Sequence, residues 1–411
     1  MALVSLLLHF ILKSAHFFPQ AMSRYDYGII NIQKDFYFHD TLCEYDNHPF
    51  RTEFSGYYLL SGSGLSTFSK YSWIDFFTVG WNSCSIDYGY DCFALKGFTF
   101  MRVRIDEGVY IDMINLHTNA GIRRSEEAAR RSNIRQVADY ISANSAGNAV
   151  VVFGNTNSRY TRYEDNLDFL IGQNGLTDAW VQAIGGIMPI AGSDALICPR
   201  IVPLSIECEV VDKVFYRGSP AIHLNSMGFF YDTARFLSPE NSMLSDHHPV
   251  RVEFRYELKY GIRQSSLYGG PHGTWFNDIS SIDSLSKLSF IALCGVGQLE
   301  GLILKFESSS MFTHGSTAGS CYPLNLGPKD YITSVKLCWD KMFAHTRISY
   351  AQVTTNTRKL RHAGMVTNDC AVANAPVGYG VAGTYGQVGR DLNQLGSIYQ
   401  LGFIYTLQKA Q

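Results

Sequence analysis

The feature that most limits how this chain can fold is a change of rhythm near residue 260. Before it, apolar strand-like runs alternate with helical stretches. "YGIINIQ", "NAVVVFG", "VVDKVFY" and "HHPVRVEFRYEL" read as strands, and "FTFMRVRI" and "VYIDMINLH" as two more around the Asp106-Glu107-Gly108 turn. "SEEAARRSNIRQVADYISAN" reads as a helix with Ser125 as N-cap and Glu126 and Glu127 in its first turn. Ala129, Ile134, Val137, Ala138 and Ile141 share one face of it, which makes arginines 123, 124, 130, 131 and 135 its solvated side rather than a phosphate-binding patch. A shorter helix is expected around "NLDFLIGQNG". After residue 260, short runs such as "GGPHGTWFND", "LEGLILKFES", "YITSVKLCWD" and "VGYGVAGTYGQVGR" follow one another, broken by Gly, Ser and Thr. That pattern predicts an all-β module of hairpins. An α/β domain over 1–258 and an all-β domain over 259–411 are therefore expected, with the division near Lys259–Ser266.

A chain of 411 residues is long enough for both units to bury a core. A formal net charge of −2 offers no electrostatic case for bulk nucleic-acid binding, so any such role would need a local site. No apolar run reaches the length of a membrane-spanning helix. The opening "MALVSLLLHFIL" has the apolar centre of a signal peptide, but it lacks a basic leading region and a good cleavage site; a buried first helix or strand is the expectation. Nine cysteines include two close pairs, Cys84 with Cys92 and Cys198 with Cys208, whose spacing suits small disulfide-closed loops as well as buried free thiols. Disulfides would place the chain in an oxidising, extracellular compartment, and the odd total leaves one thiol over.

Unusual polar groups cluster where apolar runs end: Lys34 in "INIQKDF", His117 and Asn119 in "MINLHTNAG", Asn155 and Asn157 in "FGNTNS", and Asp246, His247 and His248 in "LSDHHPV". Ends of this kind are where open α/β sheets place their chemistry. Asp212 in "EVVDKVFY" sits inside an apolar strand, where an unpaired carboxylate is expensive, and His247 is its expected partner. Such a pair raises the imidazole's pKa and fixes its tautomer, suiting it to a phosphoryl oxygen.

The order of these motifs, with Gln33 ahead of Lys34, resembles the endonuclease/exonuclease/phosphatase superfamily with its deoxyribonuclease-I-like, four-layer α/β sandwich. The resemblance covers roughly residues 20–258 and is closest in style to fungal members that carry a jacalin-like domain behind the catalytic one. "YGGPHGTWFND" and "GRDLNQLGSIYQLGFIY" resemble jacalin-like β-prism repeats. What the resemblance implies is a phosphoesterase in which Mg²⁺ is held at the position of Lys34 with help from Asp246. Asn155 would stand at the water-activating position, Asn157, Asp212 and His247 would contact the phosphate, and His117 would be a further phosphate-binding histidine. Asn119 and Lys213 would lie nearby as substrate contacts. Gly269 and Gly270 resemble the Gly-rich sugar-binding loop of the lectin family, although a Gly-Gly pair is also an ordinary turn. The Gly-x-x-x-Asp loop common near the lectin C-terminus is not matched, Asp391 following Gly389 at a different spacing.

Three positions depart from the family. Lys34 stands where Glu is expected, Asn155 where the water-activating Asp is expected, and Asn119 where an Asp is usual. The family's first strand is expected to be missing, because the chain starts close to Lys34. Two unit charges about 4 Å apart interact by about 4 kcal/mol at an effective dielectric near 20, and a dication with a carboxylate by roughly twice that. An ammonium at that place turns the attraction into repulsion, and an amide accepts no proton from water. The expectation is a phosphoesterase fold with a weakened metal site and weakened hydrolysis. It would retain binding of a phosphate-ester ligand (nucleic acid, phospholipid head group or inositol phosphate) or of a glycan. The alternatives are an active metal-dependent phosphodiesterase and a lectin-type module.

Overall fold

The computed structural model describes residues 2–7, 17–56, 62–87, 91–92, 94–342, 344–390 and 396–408. The first unit contains β1 (Ala2–Leu7), α1 (Phe17–Arg24), β2 (Ile29–Gln33), α2 (His39–Tyr45), β3 (Phe50–Arg51), β4 (Ser66–Ser69), β5 (Trp73–Gly80), β6 (Gly97–Asp106) and β7 (Val109–His117). It continues through α3 (Arg124–Asn144), β8 (Ala149–Asn155), α4 (Asp168–Asn174), β9 (Thr177–Asp178), α5 (Ala179–Ala183), β10 (Asp212–Arg217), β11 (Ile222–Tyr231) and β12 (Val250–Leu258). Two six-stranded sheets result, ordered β11-β12-β1-β2-β4-β3 and β5-β6-β7-β8-β10-β9. Residues 2–7 of the opening apolar run thus form a strand, parallel to β2 and antiparallel to β12. The expectation of a missing first strand is corrected by this pairing, since residues 2–7 fill the middle of the sheet.

Strand alternation explains the layering. Ile30 and Ile32 of β2 face outward into a core with Phe18 and Met22 of α1 and Leu42 of α2. Gln33 faces the other sheet, where its Nε2 donates to Asn115 Oδ1 at 2.7 Å, and Asn115 Nδ2 reaches back to Ile32 O at 3.2 Å. On the far side, Ile134, Val137, Ala138 and Ile141 of α3 pack on the strands, giving helix, sheet, sheet, helix.

Helix α3 starts two residues earlier than expected. Arg123 is its cap, with Glu126 Oε2 accepting the Arg123 N–H at 2.8 Å, while Ser125 lies within the first turn and turns its hydroxyl to Asp87. Arg130 is not on a solvated face either. It is fully buried against Asp165 at 2.7 Å and donates to Gly121 O at 2.6 Å.

The second unit holds β13 (Ile262–Gln264), β14 (Tyr268–Gly269), β15 (Thr274–Asn277), β16 (Leu288–Cys294), β17 (Gly301–Phe306), β18 (Met311–Gly315) and β19 (Cys321–Asn325). After these come β20 (Ile332–Met342), β21 (His345–Thr355), β22 (Leu360–Gly364), β23 (Asp369–Asn374), β24 (Tyr379–Arg390) and β25 (Gly396–Leu407). They form three sheets around one apolar core, the arrangement of a β-prism. Disulfides join Cys84 to Cys92, Cys198 to Cys208, Cys294 to Cys321 and Cys338 to Cys370, leaving Cys43 free.

The two units share buried surface. Arg102 of β6 is 1% exposed; its Nη1 meets Asp75 Oδ2 at 2.8 Å and its Nε meets Asp112 Oδ1 at 2.8 Å. Its guanidinium lies 3.5 Å from the ring centre of Trp275, and Gln387 and Gln400 of the second unit donate to Asp75 at 3.1 and 3.3 Å. Trp275 Nε1 in turn donates to Ala146 O at 3.0 Å. Val109, Ala221 and Ile222 belong to the core of the second unit.

Candidate functional site

Parallel pairing of β7 with β8 and antiparallel pairing of β8 with β10 set His117, Asn155 and Asp212 side by side across three strands. Each is at most 2% exposed. The loop before β12 brings His247 over this row, its Nδ1 2.6 Å from Asp212 Oδ2. The partner expected for Asp212 is therefore the one it has. The opposite sheet contributes Lys34 from the end of β2, its Nζ 3.6 Å from Asp246 Oδ2. Lys34, His117, Asn155, Asp212, Asp246 and His247 thus gather where strands of both sheets end.

The backbone is bent to make this possible. Lys34 (φ 64°) and Asn157 (φ 50°) are both left-handed without being glycine, a conformation that costs on the order of 1 kcal/mol and clusters at functional sites. Asn157 is held by Asn155 Oδ1, which accepts its N–H at 2.8 Å, and by its own Nδ2 donating to Thr118 O at 3.0 Å.

Electrostatics divide the two histidines. Burial works against the charged form of His247, but the charge and hydrogen bond of Asp212, with Asp246 adding, outweigh it and raise its pKa above the ordinary value. Burial lowers the His117 pKa well below its ordinary value, and the nearby charges of Lys96, Lys34 and His247 push the same way. His117 is neutral near pH 7. Its Nδ1 and Asp212 Oδ1 are buried polar atoms with no hydrogen-bond partner among the described residues, a state that costs about 1–3 kcal/mol per group in a dry interior.

Lys213 and Asn119 are placed otherwise than expected. Side chains alternate along β10, so the residue after Asp212 points to the other face. Lys213 is 1% exposed, bonded to Glu209 Oε1 at 2.7 Å and lying 4.6 Å from the Trp180 ring centre. As a substrate contact it is corrected to a buried structural cation. Asn119 organises its own loop: its Oδ1 accepts from Ser85 N–H at 3.0 Å, its Nδ2 donates to Ala120 O at 2.8 Å, and its N–H goes to Asn133 Oδ1 at 2.9 Å. In the second unit, Gly269 (φ 98°) packs so tightly that a Cβ there would lie 2.1 Å from Tyr399 O. Gly270 donates its N–H to Tyr399 O at 2.9 Å, and a Cβ on it would lie 2.8 Å from Thr346 Cβ. Close strand approach accounts for both glycines. Asp391 lies outside the described residues.

Three basic residues at the site carried no motif. Lys96 is 8% exposed and its charge reaches His117, while Arg159 and Arg200 line a cavity of about 160 Å³ with Asp212, Asp246 and His247. Nothing in their local sequence marks them.

Residues 62–181 match the model of endonuclease/exonuclease/phosphatase family 2, and residues 265–398 match that of the jacalin-like lectin domain. One chain therefore joins a unit of phosphoesterase, deoxyribonuclease-I-like fold to a jacalin-like lectin domain. Among individual proteins, it is similar to a sphingomyelinase of Mycobacterium tuberculosis, at 35% identity over 236 residues, which are 56% of this chain and 46% of that protein. The chain spans about half the length of the curated relatives it matches first. Among solved structures it is similar to sphingomyelinase C from Streptomyces griseocarneus (12% identity, 61% of this chain and 98% of that one, TM-score 0.42). It is also similar to a mannose binding jacalin related lectin from Ananas comosus (18% identity, 36% of this chain and 99% of that one, TM-score 0.31).

Proposed function

We propose that the phosphoesterase-fold unit binds a phosphate ester without a catalytic metal, its own hydrolysis being lost or strongly reduced. The Lys34–Asp246 ion pair carries this reading: an ammonium 3.6 Å from the carboxylate occupies the electrostatic place of a cation. The residues present do not fit a magnesium ion, which needs several hard oxygen ligands in octahedral array. Asp212 is engaged with His247, and position 155 is an amide. The nearest acid in sequence, Asp35, is fully buried with His39 Nδ1 at 2.7 Å and Ser66 Oγ at 2.6 Å, so it does not replace the missing carboxylate. What the cavity offers an anion is the His247 ring, whose pKa is raised by Asp212, and the guanidiniums of Arg159 and Arg200, with the Lys34 ammonium paired to Asp246 beside it. Four disulfides support an extracellular setting, where such bonds persist.

Titration calorimetry of the full chain with inorganic phosphate tests the proposal. Binding of equal strength with and without EDTA is expected; binding that requires Mg²⁺ overturns it. The double substitution Lys34→Glu and Asn155→Asp should create Mg²⁺-dependent hydrolysis of a generic phosphodiester at least ~100-fold above the wild-type rate, the scale of a restored general base. Comparable EDTA-sensitive turnover in the wild type would count equally against the proposal. The jacalin match supports glycan binding by the second unit as a parallel reading, which a glycan array probed with the full chain tests.

A further inference from the structure

We infer that the cavity beside His247 selects phosphate esters whose head group carries a second negative charge, over those that carry a cation. The inference rests on the phosphate-binding reading above and adds the substrate class. It begins with a charge inventory of the 160 Å³ cavity. Every carboxylate on its wall already has a cation: Asp212 has His247 at 2.6 Å, Asp246 has Lys34 at 3.6 Å, and Glu209 has Lys213 at 2.7 Å. The guanidiniums of Arg159 and Arg200 have no carboxylate in contact among the described residues; Arg159 donates to the carbonyl of Glu209, and Arg200 is exposed. With the acids neutralised in pairs, those two charges are the surplus.

A guanidinium is always protonated and presents a planar fork suited to phosphate or carboxylate. Arg200 lies two residues beyond Cys198, whose bond to Cys208 ties this loop close to the start of β10. A quaternary ammonium group, by contrast, is held by aromatic faces. The apolar part of this wall comes from Cys198, Val210 and Val211, with no phenylalanine, tyrosine or tryptophan among the lining residues. The cavity is therefore built for a phosphate at His247 and a further anion at the arginines, whether on a free small molecule or on a lipid head group.

Titration calorimetry of the full chain in EDTA separates the outcomes. Two probes share one phosphate and differ in the other end: phosphocholine, with a trimethylammonium, and 3-phosphoglycerate, with a carboxylate. The expected result is affinity for 3-phosphoglycerate about tenfold or more above that for phosphocholine. Arg200→Glu should abolish or reverse this margin, Arg200→Lys should keep most of it, and Arg159→Gln should reduce it; unchanged melting of the exposed-site variants shows that the fold is intact. Phosphocholine binding as well as or better than 3-phosphoglycerate overturns the inference and leaves the phosphate site standing. Failure of both probes to bind overturns the phosphate site and this inference together. Cosedimentation with phosphatidylcholine vesicles containing phosphatidylinositol 4-phosphate assigns the source. Arg200-dependent retention identifies a lipid head group, and binding of the free anion alone identifies a soluble ester.

Discussion

His247 is the residue whose protonation should govern the site. Its pKa is raised by Asp212, so the folded protein holds that proton more tightly than the unfolded chain does. Its contribution to stability is complete below the ordinary histidine value near 6.5 and is lost as pH rises through the higher folded value. Affinity for a phosphodiester probe, whose single charge does not change over this range, should follow the same course, flat below it and falling above it. Asp212→Asn leaves burial as the main influence and should drop the His247 pKa below its ordinary value, moving the affinity loss to lower pH. Proton NMR titration of the His247 ring, beside calorimetry at several pH values, checks both. His117 should show no protonation step near pH 7 in the same spectra, because burial keeps it neutral.

At the scale of elements, β10 shows how one strand serves two ends. Asp212 faces the site while Lys213 faces the interior, and Lys213→Met probes the second of these roles. It strands Glu209, itself 0% exposed and on the cavity wall, at a cost of about 3–5 kcal/mol, and the uncompensated carboxylate should also weaken phosphate binding. Adding Glu209→Gln should recover part of the loss. Thermal melting and calorimetry on the pair of variants test this. The same strand marks what the sequence revealed and what it did not. Apolar runs ending in Asn155, His117 and the Ser-Asp-His turn were legible because strand ends and a costly buried carboxylate leave a local trace. The outward or inward turn of Lys213 was not, since it depends on a register set by strands far away in the chain. Asn119 was legible as polar but not as a loop organiser, because its partners Ser85 and Asn133 come from two other segments. Arg130 was misplaced on the helix surface for a similar reason: Asp165, which holds it, follows in a loop without a helical pattern. The opening run was legible as a buried helix or strand but not as the family's first strand, because so short an apolar run carries too little periodicity to tell strand from helix.

At the scale of the molecule, the buried Arg102 ties the two units into one. Asp75 is its partner from the first unit and is also the acceptor for Gln387 and Gln400 of the second, and burial raises the Asp75 pKa. Arg102→Met would leave Asp75 and Asp112 without their cation, a loss of about 3–5 kcal/mol. Scanning calorimetry should show one unfolding transition for the wild type, and for this variant a lower first transition split from a second. Two well-separated transitions in the wild type would contradict so close a union.

That union has a further consequence, written in Val109, Ala221, Ile222 and Trp275. Each of these side chains is roofed by residues from across the junction, so cutting the chain at Lys259 would leave two raw, greasy faces in place of two finished proteins.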